Sequence, residues 1–114
     1  MEGIKVEINT RSVEGVTIVD ISGSLDTQTS GTASEEMSRI AEDGTRLLLN
    51  LEGLEFLSSA GLRAILRTAK QLKGSGGSIK VCSAAGVVKE VMEISGFGSL
   101  LDLYASESEA LASF

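Results

Sequence analysis

Histidine, proline and tryptophan are absent from this chain of 114 residues, and cysteine occurs once. Without histidine no Ser-His-Asp triad can form, and the commonest imidazole ligand of metal sites is missing. A lone Cys82 leaves no partner for a disulfide within the chain and no Cys/His metal cluster, and it reads as a small buried apolar residue. Aromatics are confined to Phe56, Phe97, Phe114 and Tyr104, so the core must be built from Leu, Ile, Val, Ala and Met. Cations are also scarce. Ten Lys and Arg stand against sixteen Asp and Glu, a net charge of −6. That balance argues against non-specific nucleic-acid binding, which needs cations to displace counterions, and against docking on anionic lipid. No apolar run approaches membrane-spanning length, and the N-terminus lacks the basic-then-apolar pattern of a secretory signal. The expectation is a cytoplasmic protein, a monomer or weak dimer, with no membrane or direct nucleic-acid partner.

What is present is a hydrophobic content of 42%, enough for a core in one domain covering residues 1–114. Ile4, Val6 and Ile8 alternate with polar residues, which predicts a half-buried strand at a sheet edge. Glu14-Gly15 makes a turn, and the β-branched run at 16–22 is the antiparallel return strand. A first helix is expected from about Thr32 to Asp43, with Thr32 and Glu35 at capping-box spacing and Gly44 as the stop. "RLLLNL", residues 46–51, is apolar on both sides of its alternation and suits a central strand covered on both faces. In a second helix from about Gly61 to Lys73, Leu62, Ile65, Leu66, Ala69 and Leu72 form one stripe. A strand at 78–83, a helix at 84–95 ended by Gly96, a short strand at 100–104, and a C-terminal helix capped by Ser106 and Glu109 complete the chain. The order β-β-α-β-α-β-α-β-α predicts an α/β fold: a mixed, mainly parallel sheet of about five strands that starts with a β-hairpin, and about four helices packed mainly on one face.

Few residues here can do chemistry. "GSGG", residues 74–77, lacks the G-K-[ST] of a phosphate loop and leads into a strand, so it reads as a helix stop and turn. Asp26, Asp43 and Asp102 are scattered and suggest no metal cluster, so no cofactor or catalytic residue is expected. The remaining feature is "LSSAGL", residues 57–62, at the entrance of the second helix. A serine there can cap unpaired backbone N–H groups. Phosphorylated, it would place its charge where the helix dipole favours it. The residues alone leave cap and switch both open.

A hairpin ending in "GSLD", the buried "LLLNLEGLEFLSSAGLRAIL" and the tail "GGSIKVCSAAGVVKEVMEISGFGSLLDLYAS" together resemble a STAS domain of the anti-sigma factor antagonist type, over roughly residues 4–112. The usual signature is Asp, then Ser, then Ser, Thr or Ala, then Gly-Leu. Laid on this chain, Ser58 takes the place of the Asp, Ser59 falls on the phosphorylated serine, and Ala60, Gly61 and Leu62 complete the match. Asp26 matches an acidic residue near the switch serine, and Asn50 a polar position ending the central strand. Ser58 in place of an acid, and Arg63 where the best-studied members carry glycine, are departures. The resemblance implies a binding switch rather than an enzyme. The unphosphorylated form would bind an anti-sigma factor that is also a serine kinase, phosphorylation at Ser59 would release it, and a PP2C-type phosphatase would reset it. Asp26, Ser58, Ser59, Ala60, Gly61 and Arg63 would meet the partner. Two other readings stand beside it: a stand-alone STAS regulatory or scaffold subunit of a transport or sensory complex, without phosphorylation, and a nucleotide binder.

Overall fold

The computed structural model describes residues 6–42, 44–94 and 101–114. Ile4, Asp43, Gly96 and Leu100, which mark expected element ends, lie outside the described residues.

The chain opens with the hairpin β1 (Val6–Val13) and β2 (Val16–Leu25), in register from Val6↔Gly23 to Val13↔Val16. Its two-residue turn has φ of 53° at Glu14 and 81° at Gly15. Positive φ at both positions matches the turn to the twist of the strands, and glycine adopts it freely. β1 is an edge strand, as its alternation predicts, with Val6 and Ile8 half-buried against the core.

After helix α1 (Ser30–Ile40), strand β3 (Arg46–Asn50) pairs in parallel with β2 from Thr17↔Leu47 to Asp20↔Asn50. Strand β4 (Leu54–Leu57) then takes over the same edge of β2, from Gly23↔Leu54 to Leu25↔Leu57, across a register shift at Gly23/Ser24. The sheet therefore has six strands among the described residues, in order β1-β2-β3-β5-β6 with β4 beside β2. β4 is the addition to the five expected. Its four residues are buried at the ends and exposed at Glu55 and Phe56, so it shows no period of two.

Helix α2 (Ser59–Gly74) buries Leu62, Ile65, Ala69 and Leu72, four of the five residues of the expected stripe; Leu66 is half-buried at its margin. Strand β5 (Ser78–Cys82), helix α3 (Gly86–Ile94), strand β6 (Asp102–Tyr104) and helix α4 (Glu107–Ala112) follow. All pairings after the hairpin are parallel.

Alternation along β3 explains the two layers. Leu47 and Leu49 belong to the large core, shared with Ala33 and Met37 of α1, the α2 stripe, and Val88 and Met92 of α3. Leu48 faces the other way and packs with Val16, Ile18, Cys82 and Ala110 of α4. Three helices thus cover one face and one short helix the other, which is why both sides of β3 are apolar. Cys82 is buried there, and burial pushes its thiol pKa up.

The start of α1 differs from expectation. The helix begins at Ser30, with Thr32 inside it, so the Thr32–Glu35 capping box does not form. The N-cap is Thr29, whose side chain makes no capping hydrogen bond, and Asp26 ties the turn that leads into the helix. Its Oδ1 accepts from the backbone N–H of Gln28 (2.9 Å) and of Thr29 (3.1 Å), and its carbonyl accepts from Ser30 N (2.8 Å). The expected C-terminal cap is present: Ser106 Oγ accepts from Glu109 N at 3.2 Å.

Candidate functional site

The site is built where β2 and β4 end side by side. Ser58 is extended (φ −97°, ψ 173°), and its backbone N–H donates to Leu25 O at 2.9 Å. Its side-chain oxygen accepts from Gly61 N (3.3 Å), and its carbonyl accepts from Leu62 N (2.9 Å). Ser58 is therefore the N-cap of α2, half-buried and already engaged.

Ser59 is the first residue of α2 and is exposed. The first turn of this helix holds no acidic residue, so its N-terminal partial positive charge is unmatched within the helix. Ala60 is half-buried and Gly61 is buried. A Cβ on Gly61 would lie 2.6 Å from Leu25 O and 2.8 Å from Leu25 Cγ. Only glycine lets the first turn press against the end of β2. That contact, with the Ser58–Leu25 hydrogen bond, brings the start of α2 next to Asp26, which follows Leu25 directly.

Asp26 is half-buried, and its hydrogen bonds run into its own loop. Its N–H donates to Thr29 Oγ1 (2.9 Å), which in turn donates to Ser24 O (2.8 Å). The loop between β2 and α1 is thus a closed polar knot beside the serine pair. Arg63 is exposed four residues along α2 from Ser59, so both lie on the same side of the helix.

Asn50 does not join this group. Its Nδ2 donates to Asp20 Oδ1 (3.0 Å) and its Oδ1 accepts from Glu52 N (3.0 Å). It belongs to a network on the α4 face. There Arg11 Nε and Nη2 reach both Asp20 oxygens at 2.7 and 3.0 Å, and Arg11 Nη1 donates to Glu107 Oε2 at 3.1 Å. Arg11 holds both carboxyls below their ordinary values, with burial opposing it. A second anchor holds the far end of α4: Lys80 Nζ donates to Ser113 O at 2.8 Å and sits 4.9 Å from the Phe114 ring centre. Sequence reading missed both anchors. The hairpin register alone places Arg11 and Asp20 on one face, a diagonal pair that could have been found. Glu107 comes from far along the chain and left no such signal.

Among the described residues no group of three or more acidic, Cys or His side chains could hold a metal ion, and no helix is long and apolar enough to cross a membrane. Among the described residues the side-chain hydrogen bond at the serines is the Ser58 cap on Gly61 N. The arrangement offers an exposed hydroxyl on a pre-set helix start, which suits modification and docking.

The STAS domain family model matches residues 7–110. A Bordetella bronchiseptica protein named as a candidate anti-sigma factor antagonist, BtrV, is 34% identical over 103 residues, covering 90% of this chain and 89% of the relative. An anti-sigma F factor antagonist of Paenibacillus polymyxa is 30% identical over 110 residues, covering 95% and 94%. Among solved structures, an anti-sigma factor antagonist from Mycobacterium paratuberculosis superposes with a TM-score of 0.87 at 23% identity, covering 96% of this chain and 93% of that one. The fold, the match across the sheet and helices, and these relatives place the chain in the STAS domain family, among proteins of the anti-sigma factor antagonist type.

Proposed function

We propose that this chain is an anti-sigma factor antagonist whose binding is switched at Ser59. In the unphosphorylated state the exposed Ser59, with Ala60 and Gly61 behind it, gives a small-residue surface on which an anti-sigma factor with serine-kinase activity docks, freeing a sigma factor. Phosphorylation of Ser59 ends the complex, and a PP2C-type phosphatase restores it. The whole chain acts as one STAS module, without catalytic residues of its own.

The observation that carries this reading is the division of labour between two adjacent serines. Ser58 is spent on capping α2, while Ser59 is exposed at the first helical position. A phosphate at Ser59 would sit favourably on the helix dipole, so the antagonist keeps its fold when modified. The cost falls on the complex. The phosphate adds bulk and nearly two negative charges to a chain of net charge −6, next to Asp26. Phe56, 44% exposed and two residues before Ser58, supplies an apolar contact for the partner.

Reaction with the kinase-type anti-sigma factor and ATP, followed by peptide mass spectrometry, tests the assignment. The phosphate is expected on Ser59. Phosphate on Ser58 would reverse the roles of the two serines. An unmodified chain that forms no complex would favour the transport or sensory subunit.

A further inference from the structure

One cavity lies away from the serine site, between the second half of α2 and strands β5 and β6. It measures about 340 Å³, and its lining includes the apolar Leu66, Ala69, Ile79 and Leu101 and the charged Lys70, Lys73 and Asp102. That volume is near the lower end of ligand pockets, roughly 300–1,000 Å³, and its walls are mainly apolar with a few charged groups, as such pockets are.

The lining carries charge of both signs. Lys70 and Lys73 are both exposed on α2, and among the described residues neither has an ion-pair partner. The same lining holds one carboxylate, Asp102. Two cations against one anion leave the lining with one positive charge in excess beside its apolar residues. Leu66, the lining residue of α2 nearest Ser59, is seven residues from it, about 10 Å along the helix at ~1.5 Å per residue, so the cavity is separate from the serines.

The geometry points to a binding site for a small amphipathic monocarboxylate, with its acyl or aryl body between Leu66, Ala69, Ile79 and Leu101 and its carboxylate beside Lys70 and Lys73. The apolar body supplies most of the affinity through burial. The exposed lysines select the charge, an effect of up to ~1 kcal/mol, or about fivefold, for ion pairs open to water.

Amide NMR titration of the full chain with octanoate, 1-octanol and acetate tests this without any protein partner, so its outcome is separate from that of the Ser59 assignment. Octanoate should give saturable shifts at Leu66, Ala69, Ile79 and Leu101. It should bind about fivefold more tightly than octanol, while acetate should leave these amides unmoved. The double variant Lys70→Gln/Lys73→Gln, altered only at exposed positions, should keep the octanol shifts and remove the advantage of octanoate. No saturable octanoate shifts at millimolar concentration, shifts centred elsewhere, or an advantage that survives the double variant would each overturn the assignment.

Discussion

The Ser58 amide donates to the Leu25 carbonyl at 2.9 Å, and the same carbonyl would lie 2.6 Å from any Cβ at Gly61. One backbone oxygen at the end of β2 therefore sets both the entry and the closeness of α2. The position of Ser59 follows from that oxygen more than from its own contacts.

Gly61→Ala should consequently be costly. The obstacle is backbone, which cannot swing aside like a flexible side chain, so the first turn of α2 must lift. Overpacking of this kind costs about 1–3 kcal/mol. Urea unfolding should show a loss in that range, and partner binding should weaken. A loss under about half a kcal/mol, typical of surface changes, would show that the contact is not limiting.

The two serines should separate in stability. Ser58→Ala removes the cap and should cost about 0.5–2 kcal/mol. Ser59→Ala, at an exposed first-turn position, should stay within about half a kcal/mol of the parent. Equal losses in thermal or urea unfolding would mean that Ser59 shares the capping role.

Asp20 and Glu107 give a prediction in pH. Hydrogen bonds from Arg11 lower both carboxyls from their ordinary values of 3.8 and 4.5. A carboxyl depressed in the folded state adds stability above its unfolded pKa, and that stability is lost as pH falls through the folded value. The network should therefore contribute fully at neutral pH and fade below about pH 4. Arg11→Gln should lower stability near neutrality and lose less than the parent between about pH 5 and pH 3. Parallel stability–pH curves for the two proteins would contradict this.

Arg63 should respond to the phosphate. It lies four residues from Ser59 on the same helix, within reach of a charge-assisted hydrogen bond to a phosphoserine. Phosphorylation should raise the melting temperature of the parent more than that of Arg63→Ala. The same shift in both proteins would leave Arg63 as a solvated surface residue.

Much of this architecture was legible in the sequence because periodicity reports burial directly. The edge character of β1, the two-sided burial of Leu47, Leu48 and Leu49, and the α2 stripe all follow from which residues repeat at two or at three and four. β4 was not legible, because its ends are buried while Glu55 and Phe56 both face out, so no alternation marks it. The start of α1 was misplaced for a related reason. Thr32 and Glu35 have the right spacing, but Asp26, six residues earlier, closes the loop through tertiary geometry that spacing does not encode. At the serines, "LSSAGL" located the site, but only the backbone showed that Ser58 caps the helix and that Gly61 is forced by Leu25. Asn50 ends the central strand as read, but its part in the α4 network left no mark in the sequence.

The most direct measurement is the affinity of the kinase-type anti-sigma factor for three forms of the chain: parent, Ser59→Ala and Ser59→Asp, by calorimetry with a non-hydrolysable nucleotide. Parent and Ser59→Ala should bind alike, while Ser59→Asp should bind at least about tenfold more weakly, a difference of about 1.4 kcal/mol. Equal binding by all three would contradict a switch at Ser59.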